Sequence, residues 1–361
     1  MTSALVAMSG GVDSSVAAAL MLEAGYDVIG VTLKQWQGED GQMPVAGCCT
    51  VSDAEDARRV SAQLGIPYYV LDYVEEFTAA VVEPFGRGYL DGLTPNPCIE
   101  CNRKVRFRAL LDRTSELGCD VLVTGHHARV ERDGDIHRLR TAVDTTKDQS
   151  YVLHMLDQDA LARVRLPVGE MTKAEVRERA SRLGLRTADK PDSQDICFVT
   201  SGDYRDFLRS RVPDIVRPGH IVDTDGEIVG EHDGTASFTI GQRRGLGVSV
   251  GEPRYVVDIE PRRQRVTIGT REDLLTDACV ATDMRFTHRP LGDGDRVYVK
   301  VRYRMDPVPA TVELLAESWR FVFDEPQPRP APGQAAVAYD GEYVLGGGTI
   351  VDDRIRVGRV G

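Results

Sequence analysis

The chain has 361 residues, of which 42% are hydrophobic, so it is too long for one typical domain and we expect two or three. No basic segment followed by a long apolar stretch begins the sequence, and it contains no run of about 18 apolar residues. This argues against a signal peptide, a membrane span or a membrane partner and favours a cytoplasmic protein. The net charge of −12 disfavours a nucleic-acid partner on average, but basic clusters such as Arg103–Arg108 allow a locally positive face, so charge alone leaves the question open.

The first predicted elements are a buried strand at residues 4–8 and a helix at 16–22, joined by the loop SGGVDSS. Gly10 and Gly11 lack a Cβ, so the backbone can approach an anion while N–H groups of the helix start point toward it, and Ser9, Ser14 and Ser15 add hydroxyl donors. The loop has neither the Lys of a Walker A motif nor the spacing GxGxxG. It resembles the PP-loop of ATP pyrophosphatases, which cleave ATP to AMP and pyrophosphate. An ordinary Gly-Gly turn is the alternative.

The first half of the chain alternates apolar runs with helical patterns. Strands are predicted near residues 28–33, 68–71 and 121–124, which indicates βαβ units and a parallel sheet. Ser52 and Glu55 predict a capping box for a helix that ends at Gly65-Ile66-Pro67. Ligands of such sheets bind beyond the carboxyl ends of the strands. We therefore expect the SGGVDSS loop and Thr124-Gly125-His126-His127 to border one site.

After about residue 212 the pattern changes to short alternating runs, which predict mostly antiparallel β structure. Hairpin signals occur at Asp225-Gly226, Asp233-Gly234, Asp340-Gly341 and Gly346-Gly347-Gly348. Residues 296–304 and 335–345 are interpreted as strands of a small barrel. The resulting fold class is α/β: an N-terminal parallel-sheet domain at 1–212, a small mostly-β central domain at 213–276 and a C-terminal β-barrel at 277–361.

The cysteines form an odd, unevenly spaced set without a secretory signal, which favours reactive or metal-binding thiols over a disulfide framework. Cys101 belongs to a Cys-x-x-Cys motif directly before a basic helix, where the pKa of a thiol falls. Cys197 lies in a stretch rich in turn-forming residues. For Cys119 and Cys279 we favour buried, inert thiols, and the adjacent pair Cys48 and Cys49 is interpreted as incidental.

Taken together, the motifs are similar to those of the tRNA-specific 2-thiouridylase family. The similarity runs in register over essentially the whole chain. The motifs are SGGVDSS at Ser9, TPNPCxxCN at Thr94, TGHHAR at Thr124, KDQSYVL at Lys147, PDSQDICF at Pro191, GQRRGLG at Gly241, VRYR at Val301 and PGQAAVAYDGEYVLGGG at Pro332. The resemblance implies an adenine nucleotide alpha hydrolase-like N-terminal domain and a tRNA-binding C-terminal barrel.

The same resemblance implies that ATP adenylates the C2 oxygen of a wobble uridine and that AMP leaves when sulfur attacks. In the family, the cysteine matching Cys197 receives sulfane sulfur as a persulfide, and that matching Cys101 acts as nucleophile or resolving thiol, with a disulfide between them closing the cycle. The implied ATP-binding residues are Ala7, Met8, Ser9, Gly10, Gly11, Val12, Asp13, Ser14, Leu33 and Gly125. The implied contacts to the target base are Asn96, Pro97 and Cys98, and those to tRNA are His126, Lys147, Asp148, Gln149, Arg302, Tyr303 and Gln334.

The expected cofactors are ATP and Mg²⁺, with Asp13 as an indirect Mg²⁺ ligand, since Mg²⁺ usually binds through one or two carboxylates and substrate phosphates. The expected partners are wobble-uridine tRNAs, which in the family are those for lysine, glutamate and glutamine, and a sulfur donor such as a cysteine desulfurase or a persulfide relay protein. One departure concerns Cys98, because the best-known members have Asp there. Cys98, Cys101 and Cys197 could instead hold a [4Fe–4S] cluster, although we favour the persulfide relay.

Two further hypotheses remain open at this point. One is a noncatalytic nucleotide-binding or tRNA-binding protein, against which the intact loop and the two placed cysteines argue. The other is a different PP-loop tRNA-modifying enzyme, whose amide, guanidine or lysidine chemistry would not need Cys101 and Cys197.

Overall fold

The computed structural model describes residues 2–37, 50–192, 196–199, 204–248 and 251–352. The strands are β1 Ser3–Ala7, β2 Asp27–Lys34, β3 Tyr68–Asp72, β4 Val121–Thr124, β5 Ala128–Asp133, β6 Ile136–Thr141, β7 Val164–Arg165, β8 Gly219–Val222, β9 Ile228–His232, β10 Tyr255–Glu260, β11 Arg265–Gly269, β12 Leu275–Phe286, β13 Arg296–Lys300, β14 Val308–Leu315, β15 Ser318–Pro328, β16 Ala335–Asp340 and β17 Tyr343–Val351. The α-helices are α1 Val12–Glu23, α2 Val51–Leu64, α3 Val74–Phe77, α4 Glu83–Leu90, α5 Pro97–Glu100, α6 Arg108–Glu116, α7 Gln158–Arg163, α8 Lys173–Arg182 and α9 Tyr204–Arg211.

Short π-helical and 3₁₀ segments complete these elements. Thr78–Val82 joins α3 to α4 and Cys101–Phe107 joins α5 to α6, both as π-helical turns. The 3₁₀ turns are Ser150–Leu153, Pro167–Glu170, Pro213–Ile215, Thr235–Ser237, Pro261–Arg263 and Glu272–Leu274. No helix in the described ranges is both long enough and apolar enough to cross a membrane.

The N-terminal sheet is parallel, as predicted. Within the described residues it has five strands in the order β3-β2-β1-β4-β7, each paired in parallel with its neighbour. Leu5 packs into one apolar cluster and Ala4 and Val6 into another, because successive residues of a strand face opposite sides. Both faces of the sheet are therefore covered, which is usual for parallel sheets. The carboxyl ends of β1, β2 and β4 meet at one edge.

Helix α2 begins earlier than the sequence analysis predicts. The capping box is formed by Thr50 and Asp53, not by Ser52 and Glu55. Thr50 Oγ1 accepts a hydrogen bond from Asp53 N at 3.0 Å, and the Asp53 carboxylate accepts from Thr50 N at 2.8 Å. The short Asp side chain closes the same ring that Glu closes in the predicted box. The end of the helix is confirmed, with Gly65 in the left-handed conformation at φ 72°.

The central and C-terminal parts are β structure, as predicted. The central sheet of the described residues has the order β10-β11-β8-β9, and the C-terminal sheet runs β12-β15-β14-β13-β16-β17 and closes through pairing of β12 with β17. Asp225-Gly226 and Asp340-Gly341 do connect hairpins. Asp233-Gly234 instead precedes a 3₁₀ turn. The predicted strand at 296–304 ends at Lys300, and 335–345 divides into β16 and the start of β17.

Gly346-Gly347-Gly348 lies inside β17, so the prediction of a hairpin there is wrong. A Cβ at Gly346 would lie 2.3 Å from the carbonyl oxygen of Arg285, and one at Gly348 would lie 2.4 Å from that of Thr282. At Gly347 it would lie 2.7 Å from the His154 ring. The glycines therefore permit close approach of β17 to β12 and to His154, where no turn is needed.

A hairpin from the N-terminal half extends the C-terminal sheet. Strands β5 and β6 pair antiparallel with each other, and β6 joins β17 at Arg140 and Tyr343. Nearby, the hydroxyl of Tyr151, which is fully buried, donates a hydrogen bond to Ala335 O at 2.8 Å. The chain segment that follows β4 is thus joined to the barrel by both backbone and side-chain hydrogen bonds.

We expect Tyr151→Phe to lower the free energy of unfolding by about 1 kcal/mol, because it removes one buried hydrogen bond and leaves a carbonyl unsatisfied. Tyr298→Phe is the matched control, since Tyr298 is half exposed on β13. Urea titration followed by fluorescence measures both. Equal midpoints for Tyr151→Phe and the wild type would show that this contact does not contribute to the attachment of the barrel.

Candidate active site

The SGGVDSS loop connects β1 to α1 in a closely packed turn that requires glycine. Gly10 has φ +73°, and a Cβ there would lie 2.2 Å from the carbonyl oxygen of Asp53, so only glycine fits. Gly11 is the N-cap of α1, and no side chain caps the helix. The first N–H groups of α1 are therefore available to an anion at this loop.

The loop serines differ in role from one another. The hydroxyls of Ser14 and Ser15, both buried, donate to Gly11 O at 3.2 and 2.8 Å, and Ser14 Oγ also accepts a hydrogen bond from Ser9 N at 3.1 Å. In the free protein these two hydroxyls donate within the turn and stabilise it, and donation to a bound anion stays a prediction. Ser9 is exposed. Of the loop hydroxyls, that of Ser9 is the one placed to reach a ligand.

Gly125 brings the end of β4 against the loop. A Cβ at Gly125 would lie 2.6 Å from Ser14 N and 2.7 Å from the carbonyl carbon of Asp13. The loop and the Thr124–His127 segment therefore border one site, as predicted. Met8, Val12 and Leu33 are buried, whereas Ala7 and Gly11 are partly exposed. We expect the buried members of this predicted ATP set to act through their backbone groups.

Asp13 is held by two basic side chains. Lys173 Nζ donates to both carboxylate oxygens at 2.7 and 2.8 Å, and His127 Nε2 lies 3.1 Å from Oδ1. Burial raises the pKa of Asp13, but the hydrogen bonds and charges of His127 and Lys173 outweigh burial and bring the pKa below its ordinary value. Asp13 is therefore an ionised carboxylate at neutral pH, with Lys173 as its principal counter-ion.

Asp192 links the same lysine to the predicted RNA contact Lys147. Its Oδ1 accepts from Lys173 and Arg177 at 2.9 Å each, and its Oδ2 accepts from Lys147 at 2.8 Å. Burial raises the pKa of Asp192, but hydrogen bonds from Lys147 and Lys173 lower it to about 2. A chain of ion pairs thus runs from Asp13 in the SGGVDSS loop through Lys173 and Asp192 to Lys147 of the KDQSYVL motif.

Lys190 closes the other side of the loop. Its Nζ donates to Gly10 O at 3.0 Å, to Asp53 at 2.6 Å and to Asp56 at 2.7 Å. Burial lowers the pKa of Lys190, but the hydrogen bonds and charges of Asp53 and Asp56 raise it above its ordinary value overall. Lys190, which lies 180 residues from Gly10 in sequence, therefore links the Gly10 turn to Asp53 and Asp56 of α2.

Sequence reasoning placed His127 in a segment that borders the site and Asp192 in a family motif, but it assigned a role to neither, and it did not find Lys173 or Lys190. The sequence around Lys173 contains one local signal of this role. The capping box of Thr172 and Glu175 places Lys173 in the first turn of α8, where the helix dipole disfavours a cation. A buried lysine at that position indicates an acidic partner elsewhere in the chain.

The predicted base-contacting segment begins α5. Asn96 Oδ1 accepts hydrogen bonds from Cys98 N at 3.1 Å and Ile99 N at 3.3 Å, which makes Asn96 a helix cap. Pro97 occupies the first turn, where its missing N–H costs nothing. Cys98 is exposed. Asn96 thus has a structural role in the free protein, while Cys98 faces solvent.

Cys101 and Cys197 contribute to the same apolar cluster. Cys101 is buried within it at the start of the π-helical turn, and Cys197 packs against it partly exposed. Phe198, which follows Cys197, contacts the rings of Phe77 and Phe85 in that cluster. The structure therefore brings both predicted catalytic thiols to one side of the parallel sheet.

The predicted RNA contacts make hydrogen bonds within the protein. Asp148 accepts from Ala142 N and Ser150 N, Gln149 Oε1 accepts from His127 N at 2.8 Å, and the hydroxyl of Tyr303 donates to Asp148 O at 3.1 Å. Arg302 donates to Arg329 O at 3.0 Å, and Gln334 donates to Thr94 O at 2.6 Å. Of these contacts, those of Tyr303 with Asp148 and of Gln334 with Thr94 join the barrel to the N-terminal half, and the others lie within one part or the other.

His126 differs from the other predicted RNA contacts because it is buried. Its Nδ1 lies 2.8 Å from Thr124 Oγ1, and burial together with the charge of Arg106 lowers the pKa of His126 to about 3. The ring is therefore neutral at neutral pH. The contact of His126 with tRNA stays a prediction, and the structure shows that its ring is buried in the free protein.

The predicted metal ligands do not form a metal-binding group. In the parts of the chain that the structure describes, which include Cys98, Cys101 and Cys197, no three His, Cys, Asp or Glu side chains are placed to hold one ion. Cys48 and Cys49 lie outside the described residues.

Family models match the chain in three consecutive stretches. These are the tRNA methyl transferase HUP domain at residues 2–201, the tRNA methyl transferase PRC-barrel domain at 205–270 and the Aminomethyltransferase beta-barrel domain at 276–350. The curated relatives carry a different name. A protein of Chloroflexus aggregans named tRNA-specific 2-thiouridylase MnmA is 50% identical over 97% of this chain and 98% of its own length. One of Carboxydothermus hydrogenoformans with the same name is 48% identical over 96% of both chains.

The chain belongs to the tRNA-specific 2-thiouridylase family.

A solved 4-thiouridine synthetase in complex with RNA and bound ATP is 19% identical, with a TM-score of 0.37, and covers 59% of this chain and 51% of its own. Similarity at that level supports no further conclusion. The family membership rests on the full-length relatives. It agrees with the predicted fold class, an α/β domain with a parallel sheet followed by a central β domain and a closed barrel.

In this 2-thiouridylase family member, we expect Lys173→Met to lower the free energy of unfolding by roughly 3 kcal/mol at neutral pH, since it leaves two partly buried carboxylates, Asp13 and Asp192, without the ammonium group that they share. Lys147→Met is the control, because Lys147 is more exposed and contacts Asp192 but not Asp13, and we expect a loss below about 1 kcal/mol.

The pH dependence follows from the lowered carboxylate pKa values. The pKa of Asp192 is lowered from the ordinary value of 3.8 to about 2, so its contribution to stability is complete above pH 3.8 and is lost as the pH falls toward 2, and the lowered pKa of Asp13 acts in the same direction. The difference between the wild type and Lys173→Met should therefore shrink as the pH falls from 3.8 toward 2. Urea titrations between pH 3.8 and 2 measure the difference in the free energy of unfolding. A difference that does not change with pH would contradict the role of Lys173 as the counter-ion of these carboxylates.

Proposed function

We propose that the protein catalyses ATP-dependent 2-thiolation of the wobble uridine of tRNA, acting as a tRNA-uridine 2-sulfurtransferase. The observation that carries this proposal is that Gln35 and Trp36, which follow Leu33 and Lys34 at the end of β2, contact the segments of both thiols. Gln35 donates a hydrogen bond to Cys101 Sγ at 3.3 Å, and the Trp36 ring packs against Phe198, the neighbour of Cys197. Leu33 lies at the same sheet edge as the phosphate-binding loop. A phosphate loop beside two thiols suits a reaction that activates an oxygen with ATP and then replaces it with sulfur.

In the first step, the C2 oxygen of uridine attacks the α-phosphorus of ATP and pyrophosphate leaves. The uncapped N–H groups of α1 supply positive potential where negative charge accumulates on the phosphates, and Lys173 offsets the negative charge of Asp13 beside them. Mg²⁺, when bound, neutralises phosphate charge. Asp13 fits the role of an indirect Mg²⁺ ligand, because its carboxylate is ionised at the loop but is already bonded to Lys173 and His127.

In the second step, the terminal sulfur of a Cys197 persulfide attacks C2 and AMP leaves with the original oxygen. The thiolate of Cys101 then attacks the Cys197 sulfur. A Cys101–Cys197 disulfide forms as the bond between Cys197 Sγ and the transferred sulfur breaks. The transferred sulfur stays on C2 as the thiocarbonyl of 2-thiouridine, and the modified tRNA is released. An external thiol reductant returns the disulfide to two thiols.

The RNA is bound, in this proposal, across the N-terminal half and the barrel. Tyr303 and Gln334 join these two parts of the molecule, Lys147 and Arg302 lie one on each part, and basic residues of the Cys101 segment extend the surface. Lys104 and Arg108 are exposed there. The chain would divide into domains at 1–212, 213–276 and 277–361, and it would act in the cytoplasm on wobble-uridine tRNAs for lysine, glutamate and glutamine.

The sulfur source is proposed to be a cysteine desulfurase or a persulfide relay protein, which would load Cys197. A [4Fe–4S] cluster on Cys98, Cys101 and Cys197 is the second candidate for the sulfur chemistry. The donor set fits it poorly, because Cys101 is buried while Cys98 faces solvent, and the described residues contain no group arranged around one ion. No step is assigned to such a cluster.

ATP should be cleaved between the α and β phosphates, giving AMP and pyrophosphate when tRNA is present. We expect Asp13→Asn to lower pyrophosphate release by at least about a hundredfold with little effect on tRNA binding, because the loop loses its charged partner for Lys173. Asp120→Asn, at the opposite edge of the sheet, is the control. Chromatography of radiolabelled nucleotide measures the products, and formation of ADP and orthophosphate would refute the proposal.

The two thiols should differ in what their loss prevents. We expect Cys197→Ser to abolish both the protein-bound persulfide and thiolation, whereas Cys101→Ser still accepts sulfur but does not release 2-thiouridine. Cys119→Ala is the control, since Cys119 lies at the far side near Ser3. Mass spectrometry of the protein and of tRNA nucleosides measures both steps. Equal persulfide loading of the wild type and Cys197→Ser, or stoichiometric iron with chelator-sensitive activity, would contradict the relay.

A further inference from the structure

We propose that Gln35 is a positioning residue for Cys101, which fixes the sulfur and stabilises its thiolate form. The side-chain amide of Gln35 donates a hydrogen bond to Cys101 Sγ at 3.3 Å. Gln35 is 2% exposed and Cys101 6% exposed, so the contact lies in the protein interior. The inference rests on the proposed function, in which Cys101 attacks the Cys197 sulfur.

The chemistry of an amide donor favours the ionised thiol. Thiolate, not thiol, is the attacking species in disulfide exchange. A hydrogen bond to the charged form of a group stabilises that form, and such a bond is stronger when water is excluded. The Gln35 amide therefore favours the thiolate form of Cys101, which the reaction requires, whereas burial of the sulfur acts against that form.

Gln35 is well placed because it directly follows β2, whose backbone is fixed between β1 and β3. The next residue, Trp36, packs against Phe198 with ring centroids 6.2 Å apart and against Phe207 at 6.0 Å. Phe198 follows Cys197. Two consecutive residues at the end of one strand thus contact the segments of both thiols, so the amide holds Cys101 at a set position relative to Cys197.

The charged groups of the Cys101 segment do not replace this amide. Glu100 precedes Cys101, and its carboxylate pairs with Arg103 at 2.7 Å and Lys104 at 2.9 Å. These two cations are therefore engaged with a carboxylate, which reduces the net positive charge that they offer to the sulfur. The Gln35 amide is a neutral donor aimed at the sulfur itself.

The test compares Gln35→Met, which keeps the length of the side chain but has no N–H donor, with Gln35→Glu, which adds a negative charge. Gln37→Met is the matched control, because Gln37 lies two residues further and accepts a hydrogen bond from Lys34 at 3.0 Å. The full-length protein is treated with iodoacetamide near neutral pH, and alkylation of the Cys101 peptide is followed by mass spectrometry. Ultraviolet absorbance of the thiolate, relative to the same protein carrying Cys101→Ser, gives a second readout on the folded variants.

We expect Gln35→Met to slow Cys101 alkylation and reduce thiolate absorbance by roughly tenfold, as loss of a hydrogen bond to a charged group implies. Gln35→Glu should reduce both further, although it has nearly the same shape. Persulfide loading of Cys197 and the KM values for ATP and tRNA should be unchanged, while release of 2-thiouridine in a single turnover slows in proportion. Gln37→Met should behave as the wild type.

Wild-type alkylation and absorbance in Gln35→Met, or equal losses in Gln35→Met and Gln37→Met, would overturn the inference. Equal effects of Gln35→Met and Gln35→Glu would also overturn it, because a packing defect alone would then account for both. The proposed function fails separately, if Cys101→Ser supports full thiolation. In that case the effect of Gln35 on Cys101 reactivity would still stand.

Discussion

The ion pair between Lys173 and Asp13 is the interaction on which the arrangement of the site depends. Lys173 is largely buried and bonds both oxygens of Asp13 as well as one oxygen of Asp192. A buried charge is tolerated only when it is paired, and removal of one member leaves the others uncompensated. The phosphate loop, the first turn of α8 and the segment that precedes Cys197 are therefore held together by one ammonium group. Any ligand phosphate that enters the loop enters a field already set by this lysine.

Much of the fold is predictable from the sequence because its signals are local. Apolar runs that alternate with helical patterns identify the parallel strands, and Gly10 and Gly11 mark a turn in which the packing of Gly10 against Asp53 excludes any side chain. Asp225-Gly226 correctly predicts a hairpin for the same reason. The glycines at 346–348 produce the same local signal, yet they serve close packing between strands, which no window of sequence distinguishes from a turn.

The site is less predictable because its contacts are long-range. Lys173 lies 160 residues from Asp13 and Lys190 lies 137 residues from Asp53, so no local pattern connects them. His126 shows a related limit. Its motif predicts a position near the RNA, but whether a histidine at the end of a buried strand faces solvent depends on the helices packed over it, here through Phe107 and Arg106. Gln35 likewise gives no sequence signal, because a polar residue after a strand is ordinarily exposed.

In the proposed relay, the different burial of Cys101 and Cys197 suits the order in which the two thiols would handle sulfur. A donor protein must reach the thiol that it loads, and Cys197 is the partly exposed member of the pair in the shared apolar cluster. The thiol that resolves the intermediate is better shielded, because a solvent-exposed thiolate is open to oxidation and to exchange with other thiols. Cys101 meets that condition, but burial also disfavours its ionisation. A buried resolving thiol therefore needs a donor that stabilises the thiolate without admitting water, and the amide at the end of β2 supplies one from within the protein.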